Sequence, residues 1–186
     1  MVTGQMAEVS QRDRFDLADL ASVHPLGADL FVPFAVVRLG GQDGVTEAEL
    51  LIELRGIDSA GPTNRRLEVC WSAASVPAQP LAIPQRDVTE WAACAIACVV
   101  VHVYARLQVR AVTEDGDRFD YWVSDGRRQF GLEVSGTLTG DLETRHRIKA
   151  EQLLDNPFGV DGYVVVVDFS ARRVIFSFHQ YEESNA

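Results

Sequence analysis

The sequence predicts an α/β protein of the α+β kind. A mixed sheet flanked by helices is expected over residues 86–186, preceded by a β-rich N-terminal extension over residues 1–85. Three observations carry this. Residues 87–104 are apolar nearly all round, as in a helix buried on most sides. Phe119-Asp120-Tyr121-Trp122-Val123 and Phe130-Gly131-Leu132-Glu133-Val134-Ser135 alternate on either side of Asp125-Gly126, a strong short-range hairpin signal. Tyr163 to Phe169 is a continuous apolar run, as expected of a strand covered on both faces.

In chain order, residues 1–23 read as a polar lead-in with a short helix around Asp13 to Ala21. Three strand-like runs follow, Leu30–Leu39, Ala48–Ile57 and Arg66–Ala74. Gly40-Gly41-Gln42-Asp43-Gly44 and Ser59-Ala60-Gly61-Pro62 turn between them, which suggests an antiparallel meander. Pro77, Pro80 and Pro84 space out a linker, Val76 to Gln85, and mark the boundary of the extension. Asp87-Val88-Thr89-Glu90 then reads as a capping box that opens the long helix, which runs to about Tyr104. Leu107–Val112 is the next strand, ahead of the acidic turn Thr113–Asp117 and the hairpin. A second helix is expected over Leu142–Asp155, ended by Asn156-Pro157, with a last strand over Val174–His179.

The chain has 186 residues, enough for a sizeable core, and a net charge of −10. That charge argues against a nucleic-acid binder relying on bulk positive charge, though not against a local cationic groove. The three cysteines, Cys70, Cys94 and Cys98, make no disulfide framework and fit a reducing cytoplasm; Cys94 and Cys98 read as small core residues. Met1-Val2-Thr3-Gly4-Gln5 has no basic region followed by an apolar run, so no secretory leader is expected. The apolar segment Trp91–Ala105 is too short to span a bilayer. The expectation is a cytoplasmic protein with no membrane partner.

A two-residue Asp125-Gly126 turn sets Asp120 opposite Gly131. It puts Phe119, Tyr121, Val123, Phe130, Leu132 and Val134 on a core face. Asp120, Trp122, Gly131, Glu133 and Ser135 share the other face. Asp120 and Glu133 are then diagonal neighbours with Cβ atoms roughly 7–8 Å apart. Two carboxylates so placed can lean onto one divalent cation, and without one they raise each other's pKa. A polar pair on a solvated sheet face fits the same pattern. The histidines, His24, His102, His146 and His179, show no metal-ligand spacing, and His146 falls on the solvent side of its helix. No G-x-S-x-G elbow, phosphate-cradling glycine loop, zinc-finger spacing or dinucleotide fingerprint occurs.

From residue 87 onward the order helix, strand, strand, strand, helix, strand, strand, with Asp in the second strand and Glu-x-Ser in the third, resembles the PD-(D/E)XK nuclease superfamily, whose core is α-β-β-β-α-β. The resemblance covers about 100 residues and implies a restriction endonuclease-like αβββαβ core. It implies that Asp120 and Glu133 bind Mg²⁺ or Mn²⁺, with Glu90 in the place of an acid often found on the first helix. Ser135 occupies the position of the motif lysine, so the motif is incomplete. In some members that function has moved to the second helix, where Lys149, the only lysine in the chain, and Gln152 lie on roughly one face with Arg145. The resemblance thus implies metal-dependent hydrolysis of nucleic-acid phosphodiesters, with Asp120, Glu133, Lys149 and Gln152 as catalytic residues and a defence or repair system as the setting. DNA or RNA would be held through a local cluster of Arg127, Arg128, Arg145 and Arg147. Ser135 and the acidic surface suit an alternative, a catalytically inactive nuclease-fold protein that serves as an interaction module for a protein partner. Glu90 as a helix cap, Lys149 as a solvated helix lysine and Asp168 as a loop-facing carboxylate or a further ligand are the competing readings of those residues.

Overall fold

A computed structural model describes residues 12–57, 61–79 and 81–182. Residues 1–11 of the polar lead-in, Ser59 and Ala60 of the second expected turn, Pro80, and the end of the polar tail lie outside the described residues. The sheet is mixed and eight-stranded. Its strands are β1 (Arg12–Asp16), β2 (Glu47–Arg55), β3 (Thr63–Cys70), β4 (Gln108–Val112), β5 (Tyr121–Ser124), β6 (Gln129–Thr137), β7 (Gly162–Asp168) and β8 (Arg173–His179). They lie in the order β1-β3-β2-β8-β7-β6-β5-β4. The pairs β1–β3, β2–β8 and β6–β7 are parallel, and the other four are antiparallel. The sheet therefore runs unbroken across the boundary expected at residue 85, through the β2–β8 pairing.

Four helices accompany it: α1 (Leu20–Val23), α2 (Val32–Arg38), α3 (Gln85–Ala105) and α4 (Leu142–Leu154). Helices α2 and α3 share the larger core with one face of the sheet, where Val36, Leu50, Leu67, Ile96, Val100, Leu132 and Phe176 are fully buried. Helix α4 covers the other face over a smaller cluster of Phe119, Leu153, Val164, Val166 and Ile175. Strand β6 lies between α3 and α4, which is why eight of its nine residues are buried. By length and a mean hydropathy of 1.7, α3 would suffice to cross a membrane, contrary to the shorter segment expected; here it is packed into the core.

Several local expectations are corrected. The run Leu30–Leu39 is helical, a 3-10 turn over Ala28–Phe31 followed by α2. Its β-branched and aromatic residues suggest a strand, but burial of Phe31, Val32, Ala35, Val36 and Leu39 follows the helical period, and Pro33 sits in the first turn. Asp13 to Asp16, the first half of the expected short helix, form part of strand β1, held by parallel pairing to β3; the second half is helical, a 3-10 turn over Leu17–Asp19 followed by α1. Helix α3 begins three residues earlier than the capping box predicts. Pro84 occupies the N-cap with no side-chain cap, and Glu90 pairs with Arg86 instead of reaching back to Asp87.

The hairpin register is also shifted. Ser124 pairs with Gln129 and Tyr121 with Leu132, so the loop has four residues, Asp125–Arg128. Asp125 Oδ1 accepts from the N–H groups of Arg127 (2.7 Å) and Arg128 (2.8 Å) and so stabilises the longer loop. A slip of two residues keeps every side chain on its face. Phe119 is the exception. It packs edge-on to Trp122 in the α4-side cluster, because the strand alternation breaks at Asp120.

Candidate active site

Strand β6 outlasts β5. Its last stretch, out to Thr137, is paired on one side only, by β7. Asp120 stands at this notch. Its N–H donates to Leu132 O at 2.9 Å, and its Oδ2 accepts from the N–H of Val134 at 2.8 Å. The carboxylate thus continues the ladder where the main chain of β5 stops, which holds it beside Glu133.

Helix α4 supplies the facing wall. Asp141 caps it, Oδ1 accepting from the N–H of Glu143 and Oδ2 from the Thr144 hydroxyl. From that start Arg145, Lys149 and Gln152 fall on one face, at i, i+4 and i+7, over β6. The Lys149 ammonium donates to Glu133 Oε1 in an ion pair and to Gln152 Oε1 at 3.2 Å. Arg145 Nη1 donates to the Ser135 hydroxyl at 3.1 Å. Asp120, Glu133, Lys149 and Gln152 are therefore brought together. At Gly131 a Cβ would stand 3.0 Å from both Leu153 and Phe119, so a larger residue there would push those side chains aside, next to the pair.

Glu133 is fully buried, and its Oε2 has no hydrogen-bond donor. Desolvation pushes its carboxyl up to about 8, Asp120 adds to the rise, and Lys149 pulls against it. Burial also raises Asp120, opposed by the Val134 N–H and by Lys149, while the charge of Glu90 adds to the rise. Near neutral pH this pair favours one proton or one cation between the two carboxyls.

Glu90 does not join them as a third ligand. It is 44% exposed and its Oε1 lies 3.5 Å from Arg86 Nε. Among the described residues no group of three or more His, Cys, Asp or Glu side chains is arranged to hold a metal. Two carboxylates still match the donor set that Mg²⁺ commonly takes from protein, the remainder coming from water and substrate phosphates. Glu90 instead lines a cleft of about 430 Å³ beyond the notch, with Gln85, Arg86, Thr89, Gly136, Thr137, Leu138 and Arg145.

Of the four arginines expected to cluster, Arg145 reaches the site. Arg128 pairs with Asp161 and Arg147 with Glu151 (3.1 and 3.0 Å). Arg127 and Arg128 belong to the loop at the far end of β5. Asp168 accepts from the N–H of Ala171 in the β7–β8 turn. Trp122 is partly buried between Phe119 and Phe158. His146 is buried rather than solvated. Its Nε2 lies 2.7 Å from Ser177 Oγ, which in turn lies 2.8 Å from His179 Nε2. Nothing in the spacing of these three residues signals that the β8 hydroxyl joins two rings. Comparison of the chain with known protein families, with curated proteins and with solved structures finds no match.

Proposed function

We propose that the protein is a divalent-metal-dependent nuclease that hydrolyses nucleic-acid phosphodiesters. Asp120 and Glu133 hold Mg²⁺ or Mn²⁺, Lys149 is the cation at the reacting phosphate, and Gln152 orients Lys149. One observation carries this reading: a fully buried glutamate is bonded to the chain's only lysine through one oxygen, while its other oxygen, beside a second carboxylate, has no donor. A buried carboxylate oxygen left so is costly unless a proton or a cation completes it. The order α3-β4-β5-β6-α4-β7, with the two helices on opposite faces, supports a restriction endonuclease-like core.

The bound cation would supply a water of lowered pKa and neutralise charge on the phosphate. Lys149, on the neighbouring helix, balances the anion that develops in the transition state, which Ser135 cannot do. Gln152 fixes the ammonium by its carbonyl, and Asp120 is fixed by the Val134 N–H.

The interaction-module alternative is favoured by Glu90, which is engaged with Arg86, and by the two arginines, Arg128 and Arg147, that turn to acids elsewhere. Mn²⁺ titration by calorimetry separates the two readings. Binding that Asp120→Ala and Glu133→Ala each abolish supports the nuclease. A folded wild type with no binding at millimolar Mn²⁺, with or without an added oligonucleotide, leaves the interaction module.

A further inference from the structure

We infer that Arg145 is a phosphate-binding residue. It grips a backbone phosphate of the substrate strand next to the scissile one, as the strand crosses from one cleft to another over α4. The inference rests on the nuclease reading. Arg145 lines both clefts, the one of about 430 Å³ against α3 and a second of about 320 Å³ lined by Gly140, Asp141, Thr144, Ile148 and Lys149. It is the residue the two share, and Lys149 of the reaction centre lines the second. The two clefts and the carboxylate pair thus meet at one turn of α4.

The state of the guanidinium points to an anion. Among the described residues the arginines on and against this part of α4 and in the same cleft have acid partners: Arg147 has Glu151, Arg55 has Glu143 and Arg86 has Glu90. Arg145 is half-buried, and the bond it makes is to the neutral hydroxyl of Ser135, which uses one of about five donors. The donors that remain form a planar fork that matches a phosphate oxygen pair. Two exposed apolar side chains flank it, Leu138 (37%) in the first cleft and Ile148 (51%) in the second. Apolar surface on both sides of a cation suits a strand, whose sugars and bases follow its phosphates, better than it suits a small free anion.

The test measures binding of a fluorescein-labelled oligothymidylate by the full chain, with Ca²⁺ in place of Mg²⁺ to prevent hydrolysis, over a range of salt. Inorganic phosphate is titrated separately. Arg145→Ala is expected to weaken strand binding about tenfold or more and to reduce the salt slope by about 0.7, one single-strand phosphate contact. Arg145→Lys should fall between, and Arg147→Ala, on the exposed side of the same helix, should match the wild type. Thermal melts verify folding, and Arg145→Lys retains the test if the alanine variant unfolds. Strand binding by the wild type that Arg145→Ala and Arg145→Lys leave unchanged would overturn this inference and leave the nuclease reading intact. Equal losses in the Arg145 and Arg147 variants would also overturn it. Phosphate binding that depends on Arg145, without strand binding, would assign the clefts to a small anion and contradict both readings, as would no binding at all.

Discussion

Replacing Glu133 by glutamine should stabilise the protein at alkaline pH while it removes the metal site. The carboxyl titrates near 4.5 when unfolded and at about 8 when folded. Between those values the native state binds the proton and the unfolded state does not. The contribution to stability is therefore full below pH 4.5 and is lost as pH rises through 8. The slope reaches roughly 1.4 kcal/mol per pH unit, so the whole interval amounts to a loss on the order of 5 kcal/mol for this fully buried group. Glutamine keeps the shape and an oxygen for Lys149 but does not titrate. Urea denaturation of wild type and Glu133→Gln from about pH 5 to about pH 9 in EDTA should show the curves diverging as pH rises, with the variant ahead at the alkaline end. Taking the difference between the two proteins cancels the titrating groups that are not coupled to Glu133, so what remains belongs to Glu133 together with Asp120 and Lys149. Mn²⁺ at about a hundredfold over its dissociation constant should return about 2.7 kcal/mol to the wild type and nothing to the variant. A difference that does not change with pH would refute the buried, donor-less state of Glu133.

Other substitutions probe the frame around the site. Gly136→Ala puts a Cβ 2.5 Å from Thr89 O and 3.0 Å from Ala93, so α3 must shift; a loss of about 1–3 kcal/mol is expected by chemical denaturation. Asn156→Ala removes four hydrogen bonds, from its amide to Leu153 O and Val160 O and from the N–H groups of Phe158 and Val160 to its Oδ1. It should cost about 2–4 kcal/mol and raise hydrogen exchange in the loop that carries Phe158. His179 is pushed down to about 4 by burial and by His146, so the stability it contributes is present above pH 6.5 and lost as pH falls towards 4. His179→Gln should flatten the acid limb of the stability profile. Lys149→Met should leave Mn²⁺ binding detectable and lower hydrolysis by about 100-fold or more.

The parts of this molecule legible in the sequence are those fixed by local pattern. Strand β7 is unambiguous because Val164 to Val167 run uninterrupted, and α4 is announced by Asp141 and ended by Asn156. Asp120 and Glu133 can be paired from sequence because a slip of two residues preserves the faces of a strand, even though Asp125 lengthens the loop. Tertiary pairing is not legible. Strand β1 exists because β3 offers it an edge, and β2 joins β8 across more than a hundred residues of chain. Helix α2 reads as a strand because Val32, Val36 and Val37 suit one, and packing against α3 decides its burial period. The exposed position of Glu90 follows from the early start of α3, which hands the glutamate to Arg86.

Hydrolysis of a labelled oligonucleotide by the wild type and by Asp120→Asn, each in Mn²⁺ and in EDTA, decides whether the Asp120–Glu133 pair is a nuclease centre. Cleavage by the wild type should require Mn²⁺ and be lost in the variant, whose amide can no longer give a carboxylate to the cation. A folded wild type that leaves both DNA and RNA strands intact in Mn²⁺, or cleavage that Asp120→Asn does not reduce, would contradict the nuclease reading.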